Sequence, residues 1–192
     1  MQLNDEIRIE APREQVYAAL NDPEILRKSI PGCEEIEQVS ETELIATVVT
    51  KIGPMKARFK GQVTLSDLNP PESYTISGVG KGGSAGFAKG GAKVLLVEDG
   101  GATVMRYEVQ VDVGGKLAQL GGRLIEGTAK KLARDFFTQF KKEVTGPEDE
   151  AAEVTVPAAI REEARIGAVH PLVLIAGGAA ALVVLYFLIS SM

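Results

Sequence analysis

Between residues 43 and 113 the sequence alternates apolar and polar residues, and this period of two restricts the fold more than any other feature. The clearest segment runs from Met55 to Leu65, where odd positions are apolar or small and even positions are polar or charged. Residues 105–113 repeat the pattern. Such alternation is typical of antiparallel strands that bury one face. The sequence predicts strands near residues 33–39, 43–52, 54–66, 72–82, 86–98 and 102–113.

The first 32 residues predict one more strand and two short helices. Apolar residues alternate with polar ones from Leu3 to Ile9, as in a half-buried strand. A helix then begins near Pro12, because proline is favoured in the first turn of a helix. Residues 21–23 (NDP) separate it from a second short helix, which ends at residues 31–32 (PG).

A long amphipathic helix is predicted over residues 115–143. The residues that recur there at steps of three and four, and so form its predicted buried stripe, are Leu117, Leu120, Leu124, Thr128, Leu132, Phe136 and Phe140. Glycines at positions 121, 122 and 127 interrupt its first half, and each costs about 1 kcal/mol relative to alanine inside a helix. Two explanations stay open: close packing of the helix on the sheet, or small residues that keep a cavity open beneath it.

The predicted order is one strand, two short helices, six strands and one long helix. This is the order of an α+β helix-grip fold, in which a curved antiparallel sheet wraps around a long C-terminal helix. Strong curvature of a sheet requires glycines or bulges. Seven glycines between residues 78 and 91 would supply that curvature.

The C-terminal part of the sequence is apolar without alternation. Residues 171–189 contain no charged residue. As a helix they would span about 28 Å, close to the thickness of the hydrocarbon core of a bilayer. We therefore predict a transmembrane helix there. The alternative, a helix buried in a soluble core, is disfavoured because the run follows a polar linker and no later segment could pack on it.

Residues 145–170 predict a flexible linker between a domain at residues 1–144 and this anchor at residues 171–189. They contain two prolines and the acidic run at 148–150, a composition that buries little apolar surface. Residues 1–10 do not resemble a signal peptide. Arg161 and Arg165 precede the anchor and no basic residue follows it. The positive-inside rule then predicts a single-pass protein of the cell (inner) membrane with a cytoplasmic main domain.

Composition argues against several classes of function. Cys33 is the only cysteine, and His170, beside the predicted anchor, is the only histidine. We therefore expect no structural zinc site, no Ser-His-Asp triad and no catalytic residue. Cys33 is either a nucleophile or, as we favour, a small buried residue. The formal net charge of −5 argues against general binding of nucleic acid.

Two polar features each allow two interpretations. The alternation places Asp5 on the apolar side of its strand, where it is either a buried acid with a raised pKa or a group that lies near the strand end or pairs with Arg or Lys. The second feature is a basic face formed by Lys51, Lys56, Arg58 and Lys60. It is either an ordinary solvated surface or a docking site for anionic lipid or an acidic protein surface.

Four motifs follow one another along the predicted domain. They are residues 30–33 (IPGC), residues 53–61 (GPMKARFKG), the glycine-rich stretch at 78–91 and residues 114–121 (GGKLAQLG). In this order they resemble the family of the carbon monoxide dehydrogenase G subunit (CoxG), within the START-like (SRPBCC) helix-grip superfamily. The resemblance covers nearly all of residues 1–144, and some family members also carry a C-terminal anchor.

The resemblance implies a binding protein that is not an enzyme. Members are thought to recruit a molybdenum hydroxylase of the carbon monoxide dehydrogenase type to the membrane. They are also thought to bind a respiratory quinone, menaquinone or ubiquinone, in the helix-grip cavity, linking that enzyme to the respiratory chain. Two alternatives stay open. One is a recruitment adaptor with no ligand, and the other is a helix-grip enzyme, which would need an inward polar cluster such as one around Asp5 and Tyr107.

The inward faces of the predicted elements supply most of the candidate ligand-binding residues. The candidates are Ala57, Phe59, Tyr74, Ile76, Phe87, Val94, Met105, Tyr107, Leu117, Leu120, Leu124 and Thr128. A pocket in a fold of this size would hold about 300–1,000 Å³. Tyr74, Tyr107 and Thr128 are the candidate hydrogen-bond partners of a quinone carbonyl. Phe59 could stack on a flat ring, and we place Phe87 at the mouth.

Overall fold

The computed structural model of the protein describes residues 2–146, which form a seven-stranded sheet and three α-helices. The strands are β1 Gln2–Ile9, β2 Cys33–Gln38, β3 Glu43–Ile52, β4 Met55–Asn69, β5 Ser73–Lys81, β6 Phe87–Asp99 and β7 Ala102–Gly114. The helices are α1 Arg13–Leu20, α2 Pro23–Ser29 and α3 Gly122–Thr145, with short 3₁₀ turns at Gly83–Ala85 and Ala118–Leu120. The predicted order of strands and helices is confirmed.

The strands form one sheet in the order β1-β7-β6-β5-β4-β3-β2, and every neighbouring pair is antiparallel. Strands β2 to β7 therefore follow one another as hairpins, and β1 returns to pair with β7. The side chains on one face, which we call the inner face, are mostly buried with those of α3, whereas those on the outer face are mostly exposed. This one-face burial is what the alternation predicted.

Two consecutive glycines in strand β6 lie where the neighbouring strands approach closely. A Cβ atom on Gly90 would lie 2.1 Å from the carbonyl oxygen of Gln110, and one on Gly91 would lie 2.7 Å from that of Ile76. No side chain fits at such distances, so the neighbouring strands approach more closely here than any other residue would allow. Gly90 and Gly91 thus allow close pairing of the strands, whereas the curvature expected from the whole glycine-rich stretch stays a prediction.

Helix α2 begins where the sequence predicted a break. The Asp22 carboxylate accepts hydrogen bonds from the backbone N–H groups of Glu24 (2.8 Å) and Ile25 (3.2 Å), and Pro23 occupies the first turn. Both features satisfy or remove N–H groups that a helix start leaves without partners.

The long helix begins seven residues later than predicted. Residues 115–121 instead form a loop with a 3₁₀ turn, and Gly121 ends that turn with a φ of +84°. Such a φ is readily adopted only by glycine, so α3 starts at Gly122. The buried residues of α3 are Ile125, Ala129, Leu132, Ala133, Phe136, Phe137, Phe140 and Val144.

The predicted stripe is therefore correct for the second half of α3 and wrong for the first. Leu124 is 40% exposed and Thr128 is half-buried, whereas Ile125 and Ala129 carry the buried face there. Gly122 and Gly127 are exposed, and a Cβ atom at either position would meet no atom within 4 Å. These glycines therefore do not pack closely on the sheet, and that explanation is wrong, whereas a cavity beneath the helix stays a prediction.

The predicted linker and anchor lie almost wholly outside the described residues. Helix α3 runs through Thr145, and the structure describes the chain only to Gly146. Within residues 2–146, no helix is both long enough and apolar enough to cross a membrane. The anchor at residues 171–189 therefore stays a prediction.

Candidate ligand-binding site

A row of four side chains crosses the inner face of the sheet. Tyr74 on β5 lies opposite Val94 on β6, which lies opposite Tyr107 on β7, which in turn lies opposite Asp5 on β1. The register thus brings together three predicted site residues and the inward carboxylate. Tyr74, Val94 and Tyr107 are buried, and Asp5 is half-buried.

Asp5 and Tyr107 form a polar pair within this row. The Tyr107 hydroxyl hydrogen bonds to the Asp5 side chain, whose Oδ1 also accepts from the backbone N–H of Glu6 at 2.9 Å. Burial raises the pKa of Tyr107 far above its usual range, and the charge and hydrogen bond of Asp5 raise it further. The phenol therefore stays protonated at any physiological pH. Asp5 is therefore paired with a tyrosine, and not with the Arg or Lys that the sequence suggested.

Tyr74 sits at the other end of the row, against helix α1. Its ring meets that of Tyr17 edge to face, with 5.6 Å between ring centroids and an interplanar angle of 86°. Burial raises the pKa of Tyr74, and the neighbouring Tyr17 adds to the shift. Tyr17 was not among the residues predicted for the site, although it follows the buried Val16 and so borders the apolar face of α1.

The remaining apolar candidates divide into core residues and partly exposed ones. Phe59, Ile76, Met105 and Leu117 are almost fully buried and belong to the central hydrophobic cluster. Ala57 and Leu120 are half-buried and pack against that cluster.

An apolar rim lies where α3 begins. It consists of Met55, Ala57, Val113 and Leu120, which are half-buried, together with the exposed Leu124. A Cβ atom on Gly53, in the turn between β3 and β4, would lie 2.8 Å from Leu124 Cδ2, so this turn contacts the start of α3. The hydrophobic core is thus less completely covered at this end of the sheet, which we call the rim end.

Thr128 and Phe87 lie differently from what the sequence suggested. The Thr128 hydroxyl donates to the carbonyl oxygen of Leu124 at 2.9 Å, so its proton is already used within α3. Phe87 alternates with the buried Ala88 and therefore faces outward, 46% exposed. Its ring covers Gly114, where a Cβ atom would lie 2.4 Å from it. Phe87 is thus at the rim end but on the outer face.

Two core-facing residues of α3 were missed. Ile125 and Ala129 are buried on the side that faces the sheet. Counting back in steps of three and four from Phe136 and Leu132 reaches Ala129 and Ile125, so the sequence did contain their signal.

Cys33 is half-buried, and its thiol donates a weak hydrogen bond to the carbonyl oxygen of Glu35 at 3.4 Å. Burial raises the pKa of this thiol, while the hydrogen bond and the charge of Arg27 oppose the shift. A raised pKa disfavours the thiolate that a nucleophile requires. Within residues 2–146, no three His, Cys, Asp or Glu side chains are arranged to hold a metal ion.

Comparison with known proteins gives the family of this chain. The family model of the carbon monoxide dehydrogenase G subunit (CoxG) matches residues 6–145. The chain belongs to the CoxG family. No curated protein matches the CoxG chain.

Solved structures show the same fold. A conserved protein from Geobacillus kaustophilus is 32% identical, with a TM-score of 0.71 over 76% of the CoxG chain and 95% of its own. A START superfamily protein from Mycobacterium smegmatis is 14% identical, with a TM-score of 0.57 over 75% of the CoxG chain and 97% of its own. The fold is therefore START-like. Because the Geobacillus chain consists almost wholly of the matched region, a domain of this kind folds on its own.

Proposed function

We propose that this CoxG protein is a membrane-tethered carrier, which binds a respiratory quinone and presents it to a molybdenum hydroxylase of the carbon monoxide dehydrogenase type. The observation that carries the proposal is the apolar inner face with its rim. Met55, Ala57 and Leu120 are half-buried and Leu124 is exposed, so an apolar ligand could enter there and remove their surface from water.

The proposal answers a physical problem. Menaquinone and ubiquinone carry isoprenoid tails and dissolve in the bilayer, whereas an enzyme of this type works in the aqueous phase. An apolar pocket shields the tail from water during transfer. If residues 171–189 anchor the chain, the domain stays close to the bilayer and its effective concentration there is high.

The polar side chains of the row on the inner face suit the reduced form of such a ligand, a quinol, better than the quinone itself. The Tyr107 hydroxyl already hydrogen bonds to Asp5, whereas the Asp5 carboxylate can accept a hydrogen bond from the hydroxyl group of a quinol. Hydrogen bonds from a few well-placed groups orient a ligand in an otherwise apolar pocket. Which quinone is bound depends on the membrane that the protein serves.

An extraction experiment tests the proposal. The purified domain, residues 1–146, is incubated with vesicles that contain menaquinone or ubiquinone, the vesicles are sedimented, and quinone in the supernatant is measured. We expect about one quinone per domain. The Leu120→Trp variant, which fills the rim, should carry far less, while Lys142→Gln, on an exposed position of α3, should carry as much as the wild type. A supernatant without quinone would leave only the recruitment role.

An enzyme is the second candidate, because Asp5 and Tyr107 do form the inward polar cluster that such a function requires. The raised pKa of Tyr107 makes the phenol a poor acid and keeps it from acting as a base near neutral pH. A pair of this kind orients a ligand better than it transfers protons. Turnover of a bound ligand that Tyr107→Phe abolishes, with binding unchanged, would favour the enzyme.

A further inference from the structure

The outer face of the sheet carries five exposed lysines towards the rim end. They are Lys51, Lys56, Lys60, Lys81 and Lys89, and we call this surface the lysine face. Lys51 lies directly opposite Lys56, and Lys60 lies directly opposite Lys81. Like charges opposite one another on neighbouring strands destabilise a sheet.

Within residues 2–146 none of these five lysines forms an ion pair that would relieve this repulsion. Lys81 and Lys89 extend the basic face predicted from the sequence onto β5 and β6. Lys81 lies opposite Lys60, whereas Lys89 lies two residues further along β6, between Val79 and the carboxylate-bearing Asp112 on the neighbouring strands. Because the repulsion among these lysines destabilises the folded domain, a binding partner that reduces it would explain why they lie together.

Exposed apolar side chains lie among the lysines. Val79 is 42% exposed and lies opposite Lys89, and Phe87 is 46% exposed and lies opposite Lys81. Lysine stems can lie along apolar surface while their ammonium groups reach the headgroups. Mixed lysine and apolar side chains are typical of surfaces that bind at the bilayer interface.

A shallow cleft of about 310 Å³ runs across the same surface. Its lining residues are Ile45, Lys60, Gly61, Gln62, Val79 and Lys81. Two lysines that lie opposite each other therefore border one cleft, and a phosphodiester between them could accept hydrogen bonds from both ammonium groups and reduce their mutual repulsion. This is the chemistry of a phospholipid headgroup.

The opposite end of the sheet is acidic. Its exposed carboxylates, at strand ends and turns, are Glu10, Glu41, Asp67, Glu72, Glu98 and Asp99. Arg8 pairs with Glu10 and Asp99, and Arg13 pairs with Glu72, so six carboxylates at this end face two arginines and the excess charge is negative. The charges are thus separated along the strands, and an anionic surface would attract one end and repel the other. Such a domain would approach an anionic bilayer with its rim end first.

We propose that the lysine face docks on the surface of a bilayer that contains anionic phospholipid, with Val79 and Phe87 at the level of the headgroups. Docking would turn the rim end towards the lipid. An acidic protein is the competing partner, but the exposed apolar side chains among the lysines and their position at the rim end favour lipid. The proposal goes beyond quinone binding, because it rests on charge and exposure alone.

The direction of α3 is compatible with this orientation. The helix begins at the rim end and its 24 residues rise about 36 Å, so the chain leaves the domain at the acidic end. Residues 147–170 can extend to at most about 80 Å. That length suffices for the chain to return to a bilayer that the rim end faces.

Vesicle binding of residues 1–146 tests the proposal. Vesicles of pure phosphatidylcholine are compared with an equal mixture of phosphatidylcholine and phosphatidylglycerol, both without quinone.

One variant combines Lys56→Gln, Lys60→Gln and Lys81→Gln. The matched control combines Lys130→Gln, Lys131→Gln and Lys142→Gln on α3, with the same change in charge. Each lysine near an anionic surface is worth about fivefold in binding, so the first variant should bind the mixed vesicles about 100-fold less well, and the control within a few-fold of wild type.

The design separates failure of docking from failure of folding or of quinone binding. The triple lysine-face variant loses lysine repulsion, so its melting temperature should not fall below that of the wild type. Phe87→Ser is a single-site variant that should also weaken vesicle binding. Wild-type binding should fall steeply with added salt. Equal binding of both triple variants, or no preference for phosphatidylglycerol, would overturn the proposal. So would a lysine-face variant that keeps vesicle binding but no longer captures the molybdenum hydroxylase. Because the vesicles hold no quinone, none of these results depends on the carrier function.

Discussion

At the scale of single residues, the inner face holds two tyrosines whose hydroxyl groups are removed from water. Burial raises the pKa of both Tyr74 and Tyr107. In the unfolded chain a tyrosine ionises near pH 10, whereas in the folded domain these phenols stay protonated well above that pH. The unfolded state therefore binds fewer protons than the folded state above pH 10, and stability falls as the pH rises.

This linkage gives the first prediction. Above pH 10, Tyr74 alone should lower the free energy of unfolding by up to about 1.4 kcal/mol per pH unit, and the loss should be absent below the unfolded pKa. The Tyr74→Phe variant lacks this ionisable group, so its stability should fall less steeply. Urea unfolding of both proteins between pH 9 and pH 11.5 measures the difference in slope. If the free energies of unfolding of the two proteins fall equally steeply with pH, Tyr74 is not shielded from solvent.

A second prediction concerns two glycines with opposite surroundings. Gly127 lies inside α3 and a Cβ atom there would meet nothing within 4 Å. The Gly127→Ala variant should therefore stabilise the domain by about 1 kcal/mol, the helix propensity difference. Gly90→Ala is the contrasting variant, because its Cβ would meet the Gln110 carbonyl oxygen at 2.1 Å. It should destabilise the domain or prevent folding, as thermal unfolding would show.

At the scale of elements, the face that α3 turns to the core decides which residues could meet a ligand. Ile125 and Leu124 are neighbours in sequence but are 4% and 40% exposed. The Ile125→Ala variant should lose about 2–5 kcal/mol of unfolding free energy, as for other buried aliphatic residues. Leu124→Ala should lose well under half of that amount. Chemical denaturation measures the unfolding free energies of the two variants. A larger loss for Leu124→Ala than for Ile125→Ala would mean that Leu124 is buried, as the sequence predicted.

The strands were predictable because their signal is local. Alternation from Met55 to Leu65 indicates which side of β4 is buried, and the structure only lengthens that strand to Asn69. The start of α3 was not predictable in this way. Residues 117–124 repeat leucines at helical spacing, but the Gly121 backbone adopts a φ of +84° that interrupts the helix. Spacing of side chains alone does not reveal such a backbone turn.

The candidate site was predictable in its composition but not in its pairings. The sequence placed Asp5 and Tyr107 on inner faces, but their contact depends on the register between β1 and β7, strands that are about 100 residues apart. Phe87 is a similar case. It begins its strand among glycines and small residues, so the local pattern was too weak to show that it faces outward.

At the scale of the whole molecule, the two ends of the sheet differ in charge and in how well the core is covered. The rim end combines half-buried apolar side chains with the lysine face, while carboxylates gather at the other end. If the predicted anchor at residues 171–189 holds the domain at a membrane, this polarity would direct the rim towards lipid and leave the acidic end free for a partner enzyme. Both features would serve the transfer of a quinone between the bilayer and that enzyme.

Quinone binding is tested without added ligand by mass spectrometry of the lipids that copurify with the domain from bacterial membranes. Residues 1–146 of the wild type are compared with the Ala57→Trp variant, which places a large side chain at the half-buried rim. We predict about one quinone per wild-type domain and a strongly reduced amount in the variant, with both proteins folded. A wild-type domain that emerges without quinone and binds none when quinone is added back would contradict the carrier function.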